Sequence, residues 1–257
     1  MTATKANNIK LLALDIDGTI TEEDQTIDIN TILALQKLKH NHPSTAVSLV
    51  SGNTLPVMVG IRNTIGVGDI LFAENGGVMM SYLERSPSNL DCLEKNNLLT
   101  LSRGTIIKRA NILRFFDRVL PEEELKKIKE RHDVHEFFTN KWRETSLSIE
   151  IDRAIVPDIM ANAGDAEVQD SGYAIHIMNP GQNKGFALTT MMNFLNITEK
   201  EILACGDGGN DLDMFRVAAY SGTPNNASKE AKNHATYVSS KNNGRGLVDI
   251  LSHYELL

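Results

Sequence analysis

Four short apolar runs, Ile9–Ile16, Ala46–Val50, Ile70–Ala73 and Ile202–Cys205, each stop at a turn of acidic, serine, asparagine or glycine residues. Runs of this length suit strands buried on both faces. Helical periodicity lies between them. Ile29, Ile32, Leu33, Leu35 and Leu38 recur at helical spacing behind Asp28, a side chain suited to cap the helix. A second helix is expected after Ser51-Gly52-Asn53 and through Gly60, a third after Lys184, and a fourth starting near Asp211. The alternation predicts an α/β fold, a parallel sheet with helices on both faces. Ligands of such sheets bind beyond the C-terminal strand ends, where Asp15 and Ser51 fall. Glu74-Asn75-Gly76-Gly77, after the third run, carries a hairpin signal.

The rhythm breaks between Tyr82 and Met178. This segment is more charged, contains a helix-like stretch from Pro121 to Ile128, and has period-2 patterning that puts Leu147, Ile149 and Ile151 on one face; Ala174–Met178 reads as a further strand. The expectation is an inserted α+β domain over residues 82–178, with 1–81 and 179–257 forming one interrupted domain. With 26 Lys and Arg against 33 Asp and Glu, the net charge is −7. That balance lacks the concentrated basic surface of a nucleic-acid partner. The densest basic cluster, Arg103, Lys108, Arg109, Arg114 and Arg118, alternates with apolar residues and reads as a solvated helix face. No stretch approaches the roughly 18 apolar residues of a membrane span, and the opening lacks a signal-peptide apolar region, so a cytoplasmic location is expected. Cys92 and Cys205 lie far apart, which argues against a disulfide framework or a structural zinc site.

Asp15-Ile16-Asp17-Gly18-Thr19 places two carboxylates two residues apart at a strand end, with Gly18 free to turn the chain and bring the second over the first. Such a pair suits a nucleophile, Asp15, that attacks phosphorus, and an acid/base, Asp17, that protonates the leaving oxygen and later deprotonates water. Gly206-Asp207-Gly208-Gly209-Asn210-Asp211 is a second acidic group after a strand, and its oxygen donors suit Mg²⁺. Ser51, on a strand-to-helix turn, and Lys184, at a helix start, suit the holding of phosphoryl oxygens. Singly, each has an ordinary role as a turn acid, cap or surface cation; four together beside strand ends favour one site. Arg143, within Trp142-Arg143-Glu144 at the expected opening of a strand of the insert, is a candidate for a substrate carboxylate, against the plainer reading of a surface ion pair. The histidines, His132 and His135 included, lack partners at ligand spacing and read as surface or core; Met191, Met192, Phe194 and Cys205 read as core.

Strand-DIDGT, strand-SGN, an isolated Lys in NKG and strand-GDGGND, in that order, resemble the four motifs of the haloacid dehalogenase superfamily of phosphatases. The position of the insert resembles the Cof-type branch with its α/β cap. The AENGG turn and PGxNKG are similar to archaeal phosphoglycolate phosphatases and their sucrose-phosphatase-like relatives. The resemblance implies a Rossmann-like core, Mg²⁺ dependence and hydrolysis of a small phosphorylated metabolite, 2-phosphoglycolate first, through an aspartyl-phosphate. It makes Asp15 the nucleophile and a metal ligand, Asp17 the acid/base whose carbonyl also meets the metal, and Ser51 and Lys184 the phosphate ligands. Asp207 and Asp211 become metal ligands, Asn210 lies beside the phosphate, and Asn226 closes one side of the pocket, although Ser221–Asn225 departs from the usual pattern before it. A sugar-phosphate phosphatase or phosphomutase is the enzyme alternative. A phospho-Asp receiver domain is the non-enzyme one, against which stand Asp17 and the insert.

Overall fold

The protein is described by a computed structural model covering residues 8–83, 111–117, 126, 129–162, 165–171 and 174–257. The four apolar runs are strands: β1 Leu11–Leu14, β2 Ala46–Val50, β3 Ile70–Ala73 and, after the insert, β10 Ile202–Cys205. With β4 Val78–Ser81, β5 Asn111–Arg114, β11 Tyr220–Thr223 and β12 Tyr237–Val238 they form an eight-stranded sheet ordered β12-β11-β10-β1-β2-β3-β4-β5. The sheet is parallel from β12 to β3 and antiparallel at the β4–β5 edge, so it is mixed. The reversal occurs at Glu74–Gly76, where three successive residues take φ of 55°, 52° and 103°. Two of them are not glycine, a strained arrangement that the surroundings must hold in place.

Helices α1 Ile29–Asn41, α2 Leu55–Ile65 and α7 Asn243–His253 cover one face of this sheet; α4 Lys184–Leu195, α5 Leu212–Val217 and α6 Lys229–His234 cover the other. Strand β1 shows why. Leu12 and Leu14 pack among Leu35, Met58 and Ile250, while Leu11 and Ala13 meet Leu188, Met191 and Met214 on the opposite side. The two-residue period of the strand thus feeds two cores from one continuous apolar run. Asp28 caps α1, accepting from Asn30 N at 2.8 Å. Helix α2 continues past Gly60, where the sequence suggested its end, because Met58 and Ile65 both reach the core.

The insert builds a second, four-stranded antiparallel sheet, β6 His135–Glu136, β7 Leu147–Glu150, β9 Ile175–Met178 and β8 Glu167–Asp170 in that spatial order, with helix α3 Val156–Asn162. Leu147, Ile149 and Ile151 share its buried face with Ile159, Ile175 and Ile177. Strand β5, although inside residues 82–178, joins the large sheet because Leu113 and the following Phe115 bury against Phe72 and Phe186. Arg114 therefore lies on a strand, not a helix face, and pairs with Asp117 at 3.6 Å. Arg103, Lys108, Arg109, Arg118, Cys92 and most of the Pro121–Ile128 stretch fall outside the described residues. Trp142 closes a 3-10 turn, Phe138–Trp142, ahead of β7, and does not open a strand. Among the described residues no helix is long and apolar enough to cross a membrane.

Candidate active site

Strands β1 and β10 are parallel neighbours, so Asp15 and Asp207 emerge side by side at their C-terminal ends. The ladder runs one bond further, Asp15 N donating to Cys205 O at 2.9 Å. Beyond it the Ile16 carbonyl accepts from Thr19, Ile20 and Thr21 N and curls the chain into a turn. Gly18 in this turn has φ of 74°, and a Cβ there would stand 2.3 Å from Asp207 Oδ2. Only glycine satisfies both the left-handed backbone and that approach. Asp211, fully buried, folds back on its own loop, and its Oδ2 accepts from Asp207 N and Gly208 N, both at 2.9 Å.

Lys184 is the first residue of α4, behind Asn183, whose side chain caps the helix at Phe186 N. Its ammonium, 1% exposed, donates to Asp15 Oδ1 at 2.6 Å and to Asp211 Oδ1 at 2.7 Å. Asp15, Asp207 and Asp211 each offer an oxygen within 4.8 Å of the others. Three carboxylates gather around one ammonium, Asp15 and Asp211 buried and Asp207 half-buried. Burial, and then Asp211, raise Asp15 well above the carboxylate range and push Asp207 up to about 7. Lys184 is raised in turn, its carboxylate partners outweighing its own desolvation. A dication would neutralise this excess, and hard carboxylate oxygens are the donors Mg²⁺ takes, so the residues fit that ion.

Ser51 follows β2 and is fully buried, its Oγ accepting from both the N and Nδ2 of Asn53 at 3.1 Å. The same Asn53 amide donates to Asp17 Oδ2 at 2.8 Å. Asp17 lies outside the three-carboxylate cluster and solvent reaches it, yet desolvation raises its pKa while Lys184 and Asn53 pull it down. Asn210 is half-buried in the turn before α5, its Oδ1 2.6 Å from where a Gly208 Cβ would sit. Asn226 joins the first loop, donating to Gly18 O at 2.8 Å and accepting from Asn243 N at 2.6 Å. Of the histidines, His132 does have a carboxylate neighbour, Asp158, at 2.7 Å.

The insert sits against this site. Arg143, 7% exposed, sends Nη1 to Gly52 O at 3.0 Å and to Ser146 Oγ at 2.9 Å. It is not a surface ion pair, and its buried Nε has no hydrogen-bond partner among the described residues. Sequence reasoning passed over Glu74, whose buried carboxylate gathers the insert's 144–146 segment. Oε1 accepts from Glu144 N at 2.8 Å; Oε2 accepts from Thr145 N and Ser146 N at 2.9 Å and from both hydroxyls at 3.1 and 2.9 Å. Gln182 adds a bond from its amide to Glu74 O at 2.7 Å, and Asn179 donates to Thr145 O at 3.0 Å. A turn glutamate gives no local sign of such a role, because its partners lie about 70 positions away.

A family model of haloacid dehalogenase-like hydrolases matches residues 12–98 and 79–251. The phosphoglycolate phosphatase of Picrophilus torridus is 36% identical over 251 residues, 97% of this chain and 93% of that protein. That of Thermoplasma volcanium is 33% identical over 251 residues, 97% of this chain and 100% of the relative. The crystal structure of Thermoplasma acidophilum 0175 superposes with a TM-score of 0.80 at 28% identity, covering 97% of this chain and 100% of that one. On these matches over nearly its whole length, the chain belongs to the haloacid dehalogenase-like hydrolases.

Proposed function

We propose that this chain is a Mg²⁺-dependent phosphomonoesterase of a small phosphorylated metabolite, 2-phosphoglycolate foremost. The observation that carries the reaction class is the carboxylate cluster Asp15, Asp207 and Asp211, bridged by the buried Lys184 ammonium at the ends of adjacent parallel strands. The substrate rests on whole-length relatives named for phosphoglycolate. In this reading residues 1–81 and 179–257 are the catalytic core and 82–178 the specificity cap, which lends β5 to the core sheet.

Asp15, Asp207, Asp211 and the Asp17 carbonyl would hold Mg²⁺, which supplies charge neutralisation for the phosphoryl oxygens. Lys184, Ser51 and Asn210 orient those oxygens. An Asp15 carboxylate oxygen attacks phosphorus, and the bond to the alcohol oxygen breaks as Asp17 gives that oxygen its proton. In the second half Asp17 takes a proton from water, the water oxygen attacks phosphorus, and the Asp15–phosphorus bond breaks. The test is phosphate release from a metabolite panel with and without Mg²⁺. Phosphoglycolate should lead, chelation should abolish turnover, and Asp15→Asn should cost several orders of magnitude, since only binding and electrostatics remain. Full turnover in excess chelator, or appreciable turnover by Asp15→Asn, refutes the reaction; another preferred metabolite refutes only the substrate.

A further inference from the structure

Between the cap and Asp17 runs a short hydrogen-bonded path. Its start is the Arg143 guanidinium, buried and donating to the carbonyl of Gly52. Gly52 is the middle of the Ser51-Gly52-Asn53 turn. It is hemmed in further, because a Cβ on it would stand 3.1 Å from the cap's His176 Cε1 and 3.3 Å from Asn75 Nδ2. The turn is pinned below by Asn75 N to Ser51 O and Glu74 N to Asn53 O, both at 3.0 Å. Glu74 is the residue whose carboxylate holds the cap segment 144–146. The bond on Asn53 O thus leads through Glu74 to the cap, as the neighbouring Gly52 O does through Arg143.

Asn53 then spends its side-chain amide on two acceptors, Ser51 Oγ at 3.1 Å and Asp17 Oδ2 at 2.8 Å. Among the described residues it is the one side chain that hydrogen-bonds the Asp17 carboxylate. A carboxylate at an exposed turn has several rotamers of similar energy. General acid catalysis requires one of them, held within hydrogen-bond reach of the leaving oxygen.

We propose that Asn53 is a positioning residue for Asp17 and that Arg143, by gripping Gly52 O from the cap, sets Asn53, so that the acid/base is aimed only while the cap is engaged. The inference rests on Asp17 being the acid/base. It gives Arg143 a role other than the reading of a substrate carboxylate: its one donating contact to the core is used on the backbone of the turn.

The experiment compares two leaving groups in one preparation, so the ratio does not depend on how much protein is folded. Glycolate is a poor leaving group and needs a proton; dinitrophenolate needs none. For Asn53→Ala, single-turnover hydrolysis of 2-phosphoglycolate should slow about 10- to 100-fold, the scale of a misplaced catalytic group. The burst of dinitrophenol from dinitrophenyl phosphate should stay within about twofold, and KM for both should hardly move. Arg143→Ala should show the same signature at smaller size, Arg143→Lys should regain most of it, and the double variant should be no worse than Asn53→Ala. Equal slowing of both substrates would assign Asn53 to the phosphate site and overturn the proposal. A KM rise confined to phosphoglycolate in Arg143→Ala would make Arg143 the carboxylate reader instead, and no change in either variant would leave the path without function. Asp17→Asn is the control for the underlying reading. If it lacks leaving-group dependence, Asp17 is not the acid/base; if it has that dependence and Asn53→Ala does not, the positioning role alone is wrong.

Discussion

Removing the Glu74 carboxylate should loosen the cap from the core by an amount that its hydrogen bonds set. In Glu74→Ala, two buried amides, of Thr145 and Ser146, and the part-buried amide of Glu144 lose their acceptor together with two hydroxyls. Hydroxyls turn to other acceptors; amides fixed in the backbone do not. An unsatisfied buried donor costs about 1–3 kcal/mol, so the two buried amides set a ceiling of roughly 2–6 kcal/mol, and relaxation with water entry brings the expected loss to about 2–4 kcal/mol. Arg143 adds to it, since Glu74 supplies negative charge that offsets the desolvation of its guanidinium. Glu74→Gln is the finer probe. Its carbonyl can replace Oε2 and keep four of the bonds, but its amino group then faces Glu144 N, donor against donor, for a loss of about 1–3 kcal/mol. The cap and core need not unfold together, so amide hydrogen exchange at residues 144–146 is the direct assay, with denaturant unfolding followed by two probes beside it. An Ala variant within about 1 kcal/mol of the parent, with unchanged exchange at those three amides, would refute the clasp.

His176, buried, is pushed down to about 3 by desolvation and then by the Arg143 and Lys184 charges. It is neutral in the fold and charged in the unfolded chain between pH 3 and its ordinary value near 6.5, so its share of stability is present above about 6.5 and is lost as pH falls toward 3. Asp15 and Asp207 pull the other way in chelated protein, so the measurement is the difference in pH slope between parent and His176→Gln; equal slopes would show that His176 does not titrate in this window. Gly18→Ala meets both a φ of 74° and an Asp207 oxygen 2.3 Å from the new Cβ, and isothermal titration should show Mg²⁺ affinity weakened about 10-fold or more, the scale of a disturbed metal-ligand support. Unchanged affinity would mean the loop shifts without moving Asp207.

The clustered carboxylates were legible in the sequence because strand ends and glycine turns announce themselves locally. Asp15, Asp207 and Asp211 needed only the expectation that parallel strands collect ligands at one end. Lys184 was legible as a residue at a helix start, though not as a fully buried bridge between two of those carboxylates, which depends on how α4 packs. Glu74 and Asn53 were hidden for a different reason. Each occupies a turn where its residue type is already explained by local conformation, so nothing in the neighbourhood advertises a long-range partner. The sequence offers Arg143 as a candidate for a substrate carboxylate but gives no sign of its contact with the Gly52 turn. A lone arginine in an insert suggests a free cation, and only the fold shows that one of its nitrogens donates to the Gly52 carbonyl. Strand β5 escaped because four residues, Asn111–Arg114, are too few for an alternating pattern to stand out from the charged segment around it.

The central place of β1 also fixes an order of events in time. It pairs with β2 on one side and β10 on the other. Its β2 edge is covered soon after synthesis, but Ile202–Cys205 leaves the ribosome about 190 residues later, roughly 10–40 s at ordinary elongation rates. Through that interval Leu11–Leu14 presents an open apolar edge in the middle of the future sheet, ready to pair with any strand that arrives. The nascent chain is therefore open to misassembly along the edge that later carries Asp15, and chaperone protection of this strand would count for most during that interval.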